Sequence, residues 1–182
     1  LVTATVPQTL TFSRRAFELW GMEAVLSQVE SRFPGSFPLC VKPASGSSAH
    51  GVSRVEDAEQ LAEALREALK ICERALVQPW VEGVQLGVPV IGTGWNAFAL
   101  PPVEIVAKEG WYDAAARQAS GAVELHVPVR NASLSPSEAD AQAIRAEIER
   151  AVLETYRALG MRDCGCIDLI WDGAQAIILE AV

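Results

Sequence analysis

Cys164-Gly165-Cys166-Ile167-Asp168-Leu169-Ile170-Trp171, then Asp172-Gly173, then Gln175-Ala176-Ile177-Ile178-Leu179-Glu180-Ala181: the chain ends on two apolar runs separated by an Asp-Gly pair. Runs of this length on either side of such a pair predict a β-hairpin, with strands at 164–171 and 175–181. A hairpin joins antiparallel neighbours, whereas a doubly wound sheet needs a helical crossover between its strands. Each strand also carries one carboxylate, Asp168 and Glu180, among apolar neighbours. A charge placed there is costly unless it meets water, a partner or a metal. Two readings stay open at this level: acids facing solvent on an uncovered sheet, or a metal-binding pair.

Turn length decides whether the two acids share a face. Side chains alternate along a strand, so Asp168 goes with Cys166 and Ile170, and Glu180 with Ile178 and Val182. A two-residue Asp172-Gly173 turn sets Asp168 opposite Ile177 and sends Glu180 to the other side. A three-residue loop over Asp172-Gly173-Ala174, or an equivalent one-residue bulge, sets Asp168 opposite Ile178 and Cys166 opposite Glu180, with both acids on one face.

Working back along the chain, Ser135-Pro136-Ser137-Glu138 supplies an N-cap, a proline at the first helical position and a capping-box glutamate. Ile144, Ile148, Val152 and Leu159 then form an apolar stripe, and Gly160 ends the helix. Val123, Leu125, Val127 and Val129 alternate with other residues, which predicts a half-buried strand over 122–129. Ala75-Leu76-Val77 and the stretch from Val84 to Ile91 read as strands around Glu82-Gly83, with Pro89 placing the second at an edge or a bulge. Leu61, Ala64, Leu65, Ala68 and Leu69 give a helix over 57–70, and Phe17, Trp20, Ala24, Val25 and Val29 another over 13–32. Leu39-Cys40-Val41 is a short buried strand that delivers Lys42 into a Gly- and Ser-rich loop. Helices mixed with hairpins make the fold class α+β.

Composition narrows the function. The net charge of −8 over 182 residues argues against the basic surface of a nucleic-acid binder, while leaving room for a local nucleotide site. No apolar run approaches the roughly 20 residues of a membrane helix. Four cysteines without paired spacing favour a reducing compartment over a disulfide framework or a zinc site. The chain opens on Leu1 without a leader pattern, which suggests a fragment.

Lys42 and the following Pro43-Ala44-Ser45-Gly46-Ser47-Ser48-Ala49-His50-Gly51 form the second candidate constellation. A small-residue loop brings backbone N–H groups and hydroxyls close to phosphate oxygens and the lysine adds a point charge, although a surface turn reads equally well. His126 is expected to face solvent and His50 to be an exposed loop residue. Trp20, Trp80, Trp95 and Trp171 read as packing residues, Trp80 being the one plausible neighbour of an adenine.

The order of these pieces carries more than any one of them. The lysine loop is followed by Gln78-Pro79-Trp80-Val81-Glu82-Gly83, Ala99-Leu100-Pro101-Pro102-Val103-Glu104-Ile105-Val106, Trp111-Tyr112-Asp113, and Ile167-Asp168 with Leu179-Glu180-Ala181. In this order the chain resembles D-alanine-D-alanine ligase from Val6-Pro7 to its end. The resemblance implies an ATP-grasp fold, two α+β lobes with mainly antiparallel sheets enclosing an ATP cleft. It divides the chain into a tail of an absent N-terminal domain at 1–12, a smaller lobe at about 13–80 and a larger, truncated lobe at about 81–182. It also implies a cytoplasmic ligase that uses ATP with Mg2+ or Mn2+, phosphorylates one D-alanine and lets the amine of a second attack, as a homodimer in the full-length protein.

By the same resemblance, Lys42 matches a lysine on the ATP phosphates, and Ser47, Ser48 and Gly51 fall in the loop that closes over them, with the spacing shifted. Gln78, Trp80 and Val81 match the adenine-contacting hinge, Gln85 a ribose-binding glutamate, and Arg117 a second phosphate-binding lysine. Asp168 and Glu180 match two metal ligands, which requires the bulged or three-residue hairpin. Cys166, counted with Ser48 at the catalytic positions, stands where the family has an arginine that stabilises the developing oxyanion. Val182 stands where it has a metal-binding asparagine. The expectation is weak binding of Mg–ATP with impaired ligation, and the alternatives are a non-catalytic nucleotide-binding or interaction module and another ATP-grasp peptide ligase.

Overall fold

The computed structural model describes residues 4–35, 37–46 and 48–182. Its contacts fall into two compact units, one made of Gln8–Trp80 and Trp111–Ala122, the other of Leu1–Pro7, Val81–Gly110 and Val123–Val182. Trp111–Ala122 thus groups with the residues before Val81, where the sequence alone placed it with those after.

The first unit is a four-stranded sheet with helices on one face. Its strands are β1 (Leu10–Ser13), β2 (Leu39–Pro43), β3 (Ser53–Val55) and β4 (Arg74–Pro79), in the order β1-β4-β2-β3. Helix α1 (Arg14–Arg32) starts where the Ser13 hydroxyl accepts from the Ala16 N–H, and is interrupted at Gly21, whose φ is 72°. Helix α2 (Ala58–Ile71) is capped by Asp57, which accepts from the Gln60 N–H at 2.9 Å. Its predicted stripe is the observed one: Leu61, Ala64, Leu65, Ala68 and Leu69 are buried with Leu39, Val41, Val55 and Val77 of the sheet. The edge strands β1 and β3 were not foreseen; each is too short to show a period. A one-turn helix α3 (Ala114–Gln118) completes this unit, capped by Asp113.

The second unit is a six-stranded sheet in which β5 (Val84–Ile91), β7 (Val103–Ala107), β8 (Val123–His126), β9 (Cys164–Trp171) and β10 (Ala176–Ala181) run in the order β10-β9-β5-β7-β8, and β6 (Phe98–Ala99) pairs with β5. The predicted edge or bulge at Pro89 is corrected: β5 lies inside the sheet, paired with β9 along its whole length. A proline is tolerated because its N and O leave the same edge of the strand. On that edge β7 pairs only with Leu86 and Gly87, β6 only with Val90 and Ile91, and the Pro89 carbonyl accepts from Leu100 at 2.8 Å.

Two helices follow β8, α4 (Asn131–Leu134) and α5 (Glu138–Ala158). The N-cap of α5 is Ser137, not Ser135, so Pro136 precedes the cap and Glu138 becomes the first helical residue. Ser135 instead accepts from the Ser137 N–H at 3.1 Å. Ile148, Val152 and Tyr156 bury against Leu86, Val88, Ile167, Leu169 and Trp171, while Leu159, assigned to the stripe from sequence, is 61% exposed beyond the helix end. Trp20 and Trp95 are exposed as well, so among the four tryptophans read as packing residues Trp171 is the one buried in a core. At the bottom of this core the Tyr156 hydroxyl donates to the Gly92 carbonyl at 3.0 Å. Tyr156→Phe should cost about 1 kcal/mol in unfolding free energy, the usual loss when a partly buried carbonyl keeps no donor; unchanged denaturant unfolding would contradict this.

Gly83, immediately before β5, has a φ of 149°, and a Cβ there would stand 2.2 Å from the Trp171 carbonyl oxygen. Only glycine fits that approach. No helix among the described residues is long and apolar enough to cross a membrane.

Candidate functional site

In the six-stranded unit the hairpin decides the geometry. Ala176, Ile177 and Ile178 pair with Trp171, Ile170 and Leu169, so the loop spans 172–175, longer than either length considered from sequence. Asp172 explains the length: its Oδ1 accepts from the N–H groups of Ala174 and Gln175, both at 2.8 Å. A four-residue loop alone would place the two acids on opposite faces. A bulge at Leu179 restores the parity, and Glu180 then pairs directly with Asp168. The expected bulge is therefore present, but Asp168 faces Glu180 rather than Ile178, and Cys166 faces Val182 through reciprocal bonds of 2.8 and 2.9 Å.

One face of this sheet consequently collects Cys166, Asp168, Glu180 and Val182, with Gln85, Gly87 and Pro89 of β5 alongside, paired with Ile170, Asp168 and Cys166. The opposite face carries the core residues Leu86, Val88, Ile167 and Leu169. Gly87 leaves space beside the acid: a Cβ there would lie 3.5 Å from Asp168 Oδ1 and 3.7 Å from Cys166 Sγ. Cys166 Sγ is 3.6 Å from Asp168 Oδ1. Burial, followed by the Asp168 charge, pushes the thiol up to about 11, so it is neutral near pH 7. Val81 precedes β5 in the same unit and is half-buried.

In the four-stranded unit the face turned away from the helices carries a row of side chains set by register. Gln78 lies opposite Cys40, and Cys40 opposite Arg54; Thr9, one residue before β1, completes the row by accepting from Gln78 Nε2 at 2.8 Å. Lys42, opposite Leu76, lies on the same face two residues along β2. Burial raises the Cys40 thiol pKa, and the neighbouring Lys42 charge partly offsets it. Trp80 leaves β4 with its N–H on the Pro38 carbonyl at 3.1 Å, its ring edge-on to Trp111 at 5.2 Å and under the Arg54 guanidinium at 5.3 Å. Arg117 belongs to this unit too, its guanidinium 4.5 Å from the centre of the Tyr112 ring.

The loop after Lys42 is held at its start. The Ala44 N–H donates to the Arg74 carbonyl at 2.8 Å, and Ser45 Oγ lies 3.2 Å from Cys72 Sγ, a contact that, followed by the Arg74 backbone, brings the thiol down to about 7. Ser48 and Ala49 both have positive φ, 58° and 57°, a conformation that stores strain at non-glycine residues. Gly51 has a φ of 75°, and a Cβ there would be 2.4 Å from Ile71 Cδ1. Ser48 and His50 are exposed; Ser47 lies outside the described residues.

The sequence-predicted residues thus divide between the units: Lys42 and Gln78 share a sheet face in one unit, which also contains Trp80, Ser48, Gly51 and Arg117, and Gln85, Cys166, Asp168 and Glu180 share a sheet face in the other. Sequence reasoning missed Thr9, Arg54 and Gly87, whose places depend on register, and Glu104, a buried carboxylate in an apolar strand that had the same signal as Asp168. His126 is corrected: its side chain is 29% exposed, 3.9 Å from the Glu124 carboxylate, and its buried Nε2 finds no hydrogen-bond partner among the described residues.

The profile described as D-ala D-ala ligase C-terminus matches residues 4–182. The chain is 33% identical to the D-alanine–D-alanine ligase of Bordetella petrii over 157 residues, 86% of this chain and 45% of that protein. It is 38% identical to the ligase of Glaesserella parasuis over 136 residues, 75% of this chain and 40% of that protein. Among solved structures, the VanG D-Ala:D-Ser ligase of Enterococcus faecalis superposes with a TM-score of 0.76 at 22% identity, over 99% of this chain and 48% of that one. The D-alanine-D-alanine ligase of Coxiella burnetii gives 0.72 at 18%, over 98% and 42%. The chain spans less than half the length of these relatives. Two antiparallel sheets of this topology, matched along their length by the D-ala D-ala ligase C-terminus profile, place the chain in the D-alanine–D-alanine ligase C-terminal family.

Proposed function

We propose that the chain is the nucleotide-binding part of an ATP-dependent carboxylate–amine ligase of the D-alanine–D-alanine type, working in the cytoplasm. In this reading ATP passes its terminal phosphoryl group to the carboxylate of one D-alanine, and the amine of a second amino acid displaces phosphate from the acyl phosphate. The observation that carries it is the direct pairing of Asp168 with Glu180 on the face opposite the core, reached only through the bulge at Leu179. No third His, Cys, Asp or Glu joins them in a cluster suited to a metal among the described residues. Two carboxylates fit Mg2+ or Mn2+, since such ions take one or two from the protein and complete their shell with phosphate oxygens and water. Such an ion, when bound, offsets charge on the phosphates.

The remaining roles are those that the resemblance to the family implies. Lys42 and Arg117 meet phosphate oxygens, with Ser47, Ser48 and Gly51 in the covering loop. Gln78, Trp80 and Val81 receive the base, and Gln85 accepts a ribose hydroxyl. Cys166 and Val182 favour a second element of the proposal, that ligation is slow: a neutral thiol provides neither the charge nor the donors of a guanidinium, and valine ligates no metal. Lys42→Ala tests the nucleotide site. It should weaken Mg–ATP binding in titration calorimetry by about tenfold to a hundredfold, as loss of a charge-assisted bond does, with unfolding unchanged. Equal affinity in the variant removes Lys42 from the site, and a wild-type protein that binds no Mg–ATP removes the site itself.

A further inference from the structure

The proposed function leaves Trp111-Tyr112-Asp113 without a part, yet each of these residues makes a defined contact within the four-stranded unit. The Trp111 ring stands edge-on to Trp80 at 5.2 Å, which ties the segment to the end of β4. Asp113 starts α3: its side chain accepts from the Ala116 N–H at 2.7 Å and its carbonyl from the Arg117 N–H at 3.0 Å. Tyr112 lies between the two, with the Arg117 guanidinium 4.5 Å from the centre of its ring. The single turn of α3 thus folds Arg117 back over the residue that precedes its cap.

A long side chain on a one-turn helix samples many rotamers, and only some of them meet a given phosphate. Affinity falls in proportion to the fraction of the protein that is in the competent arrangement. An aromatic face attracts a cation through its quadrupole, and a planar, weakly hydrated guanidinium stacks there better than an ammonium does. The ring therefore gathers Arg117 in one place before a ligand arrives. We infer that Tyr112 is a positioning residue for Arg117: its ring holds the guanidinium ready for the nucleotide phosphates and makes no contact of its own with them. The inference rests on the proposed role of Arg117 at the phosphates. Tyr112 is suited to the task because its backbone is fixed on both sides, by Trp111 against Trp80 and by the Asp113 cap.

The test is titration calorimetry with Mg–ATP on the wild-type protein, Tyr112→Leu, Tyr112→Phe, Arg117→Ala and the double variant Tyr112→Leu/Arg117→Ala. Tyr112→Leu keeps an apolar side chain but has no ring face, and should weaken binding by about threefold to tenfold, the population shift that one cation–π contact supports. Tyr112→Phe keeps the ring and should stay within about twofold of the wild type. Arg117→Ala should weaken binding at least as much as Tyr112→Leu, and adding Tyr112→Leu to it should change nothing further. Wild-type affinity in Tyr112→Leu overturns the inference, and so does tighter binding, which would make the stacked position a resting place that ATP has to undo. An equal loss with and without Arg117 gives the ring a separate role and overturns it too, as does a Tyr112→Phe protein as weak as Tyr112→Leu. Unchanged affinity in Arg117→Ala overturns both the inference and the phosphate role of Arg117, and a wild-type protein that binds no Mg–ATP overturns the nucleotide site with them.

Discussion

Replacing Cys166 by arginine is expected to raise D-alanine-dependent ADP release by about 100-fold, the lower end of what removal of one oxyanion donor costs elsewhere. Cys166 shares a face with Asp168 and Glu180, and its thiol stays protonated because burial and the Asp168 charge both disfavour the thiolate. It therefore adds neither positive charge nor a strong donor beside the proposed metal pair. A guanidinium at that position would bring both, and Gly87, opposite Asp168 on the next strand, adds no side chain of its own beside the acid. Cys166→Ser is the control. It replaces one neutral group by another and should leave the rate within about threefold of the wild type, by the same reasoning that a neutral donor adds little. An arginine variant no faster than the serine variant would show that the missing guanidinium does not limit the reaction. A serine variant far slower than the wild type would assign the thiol a part of its own.

How far the sequence could be read depends on the range of the signal. Helix α2 was legible because fourteen residues give several turns of one stripe, and the stripe is the buried face. The start of α5 was misread by two residues because Ser135 and Ser137 offer the same hydroxyl, and only the turn made by α4 decides between them. Pro89 misled for a related reason. Its missing N–H excludes pairing on one edge of β5 only, and the sequence does not say that β7 and β6 leave that point open. The hairpin gives the clearest case. Its existence followed from composition, and the shared face of Asp168 and Glu180 followed from what the family needs, but the four-residue loop and the bulge at Leu179 were not separable from a three-residue loop. Both have the same parity, and only parity was visible. Thr9 was out of reach altogether, since its contact with Gln78 crosses 69 positions and depends on how β1 adds to β4.

Glu104→Gln should destabilise the protein by about 3 kcal/mol at pH 7, and the loss should shrink as the pH falls below 4.5. Glu104 lies in β7 with its side chain 4% exposed. It accepts from Arg130 Nη2 at 2.6 Å, from Arg130 Nε at 3.0 Å, from the Arg130 backbone N–H at 3.2 Å and from the Ser133 hydroxyl at 2.7 Å. Burial alone would raise the carboxyl pKa, but these donors and the Arg130 charge overcome it and bring the value from 4.5 down to about 2. A group depressed in the folded state stabilises it wherever the unfolded chain is ionised, here above about 4.5, and loses that contribution as the pH falls through the folded value near 2. The Arg130 side chain is 48% exposed, so the arginine left behind regains water in the variant and the loss stays below that of a fully buried broken pair. Glutamine keeps an acceptor for one donor but not the charge. Because every other acid titrates alike in the two proteins, the difference between wild type and variant isolates this site. Thermal unfolding between pH 7 and pH 3 should show a gap of roughly 10 °C that narrows over the acidic half of the range. A gap independent of pH would mean that the variant acts through packing rather than through the charge on Glu104.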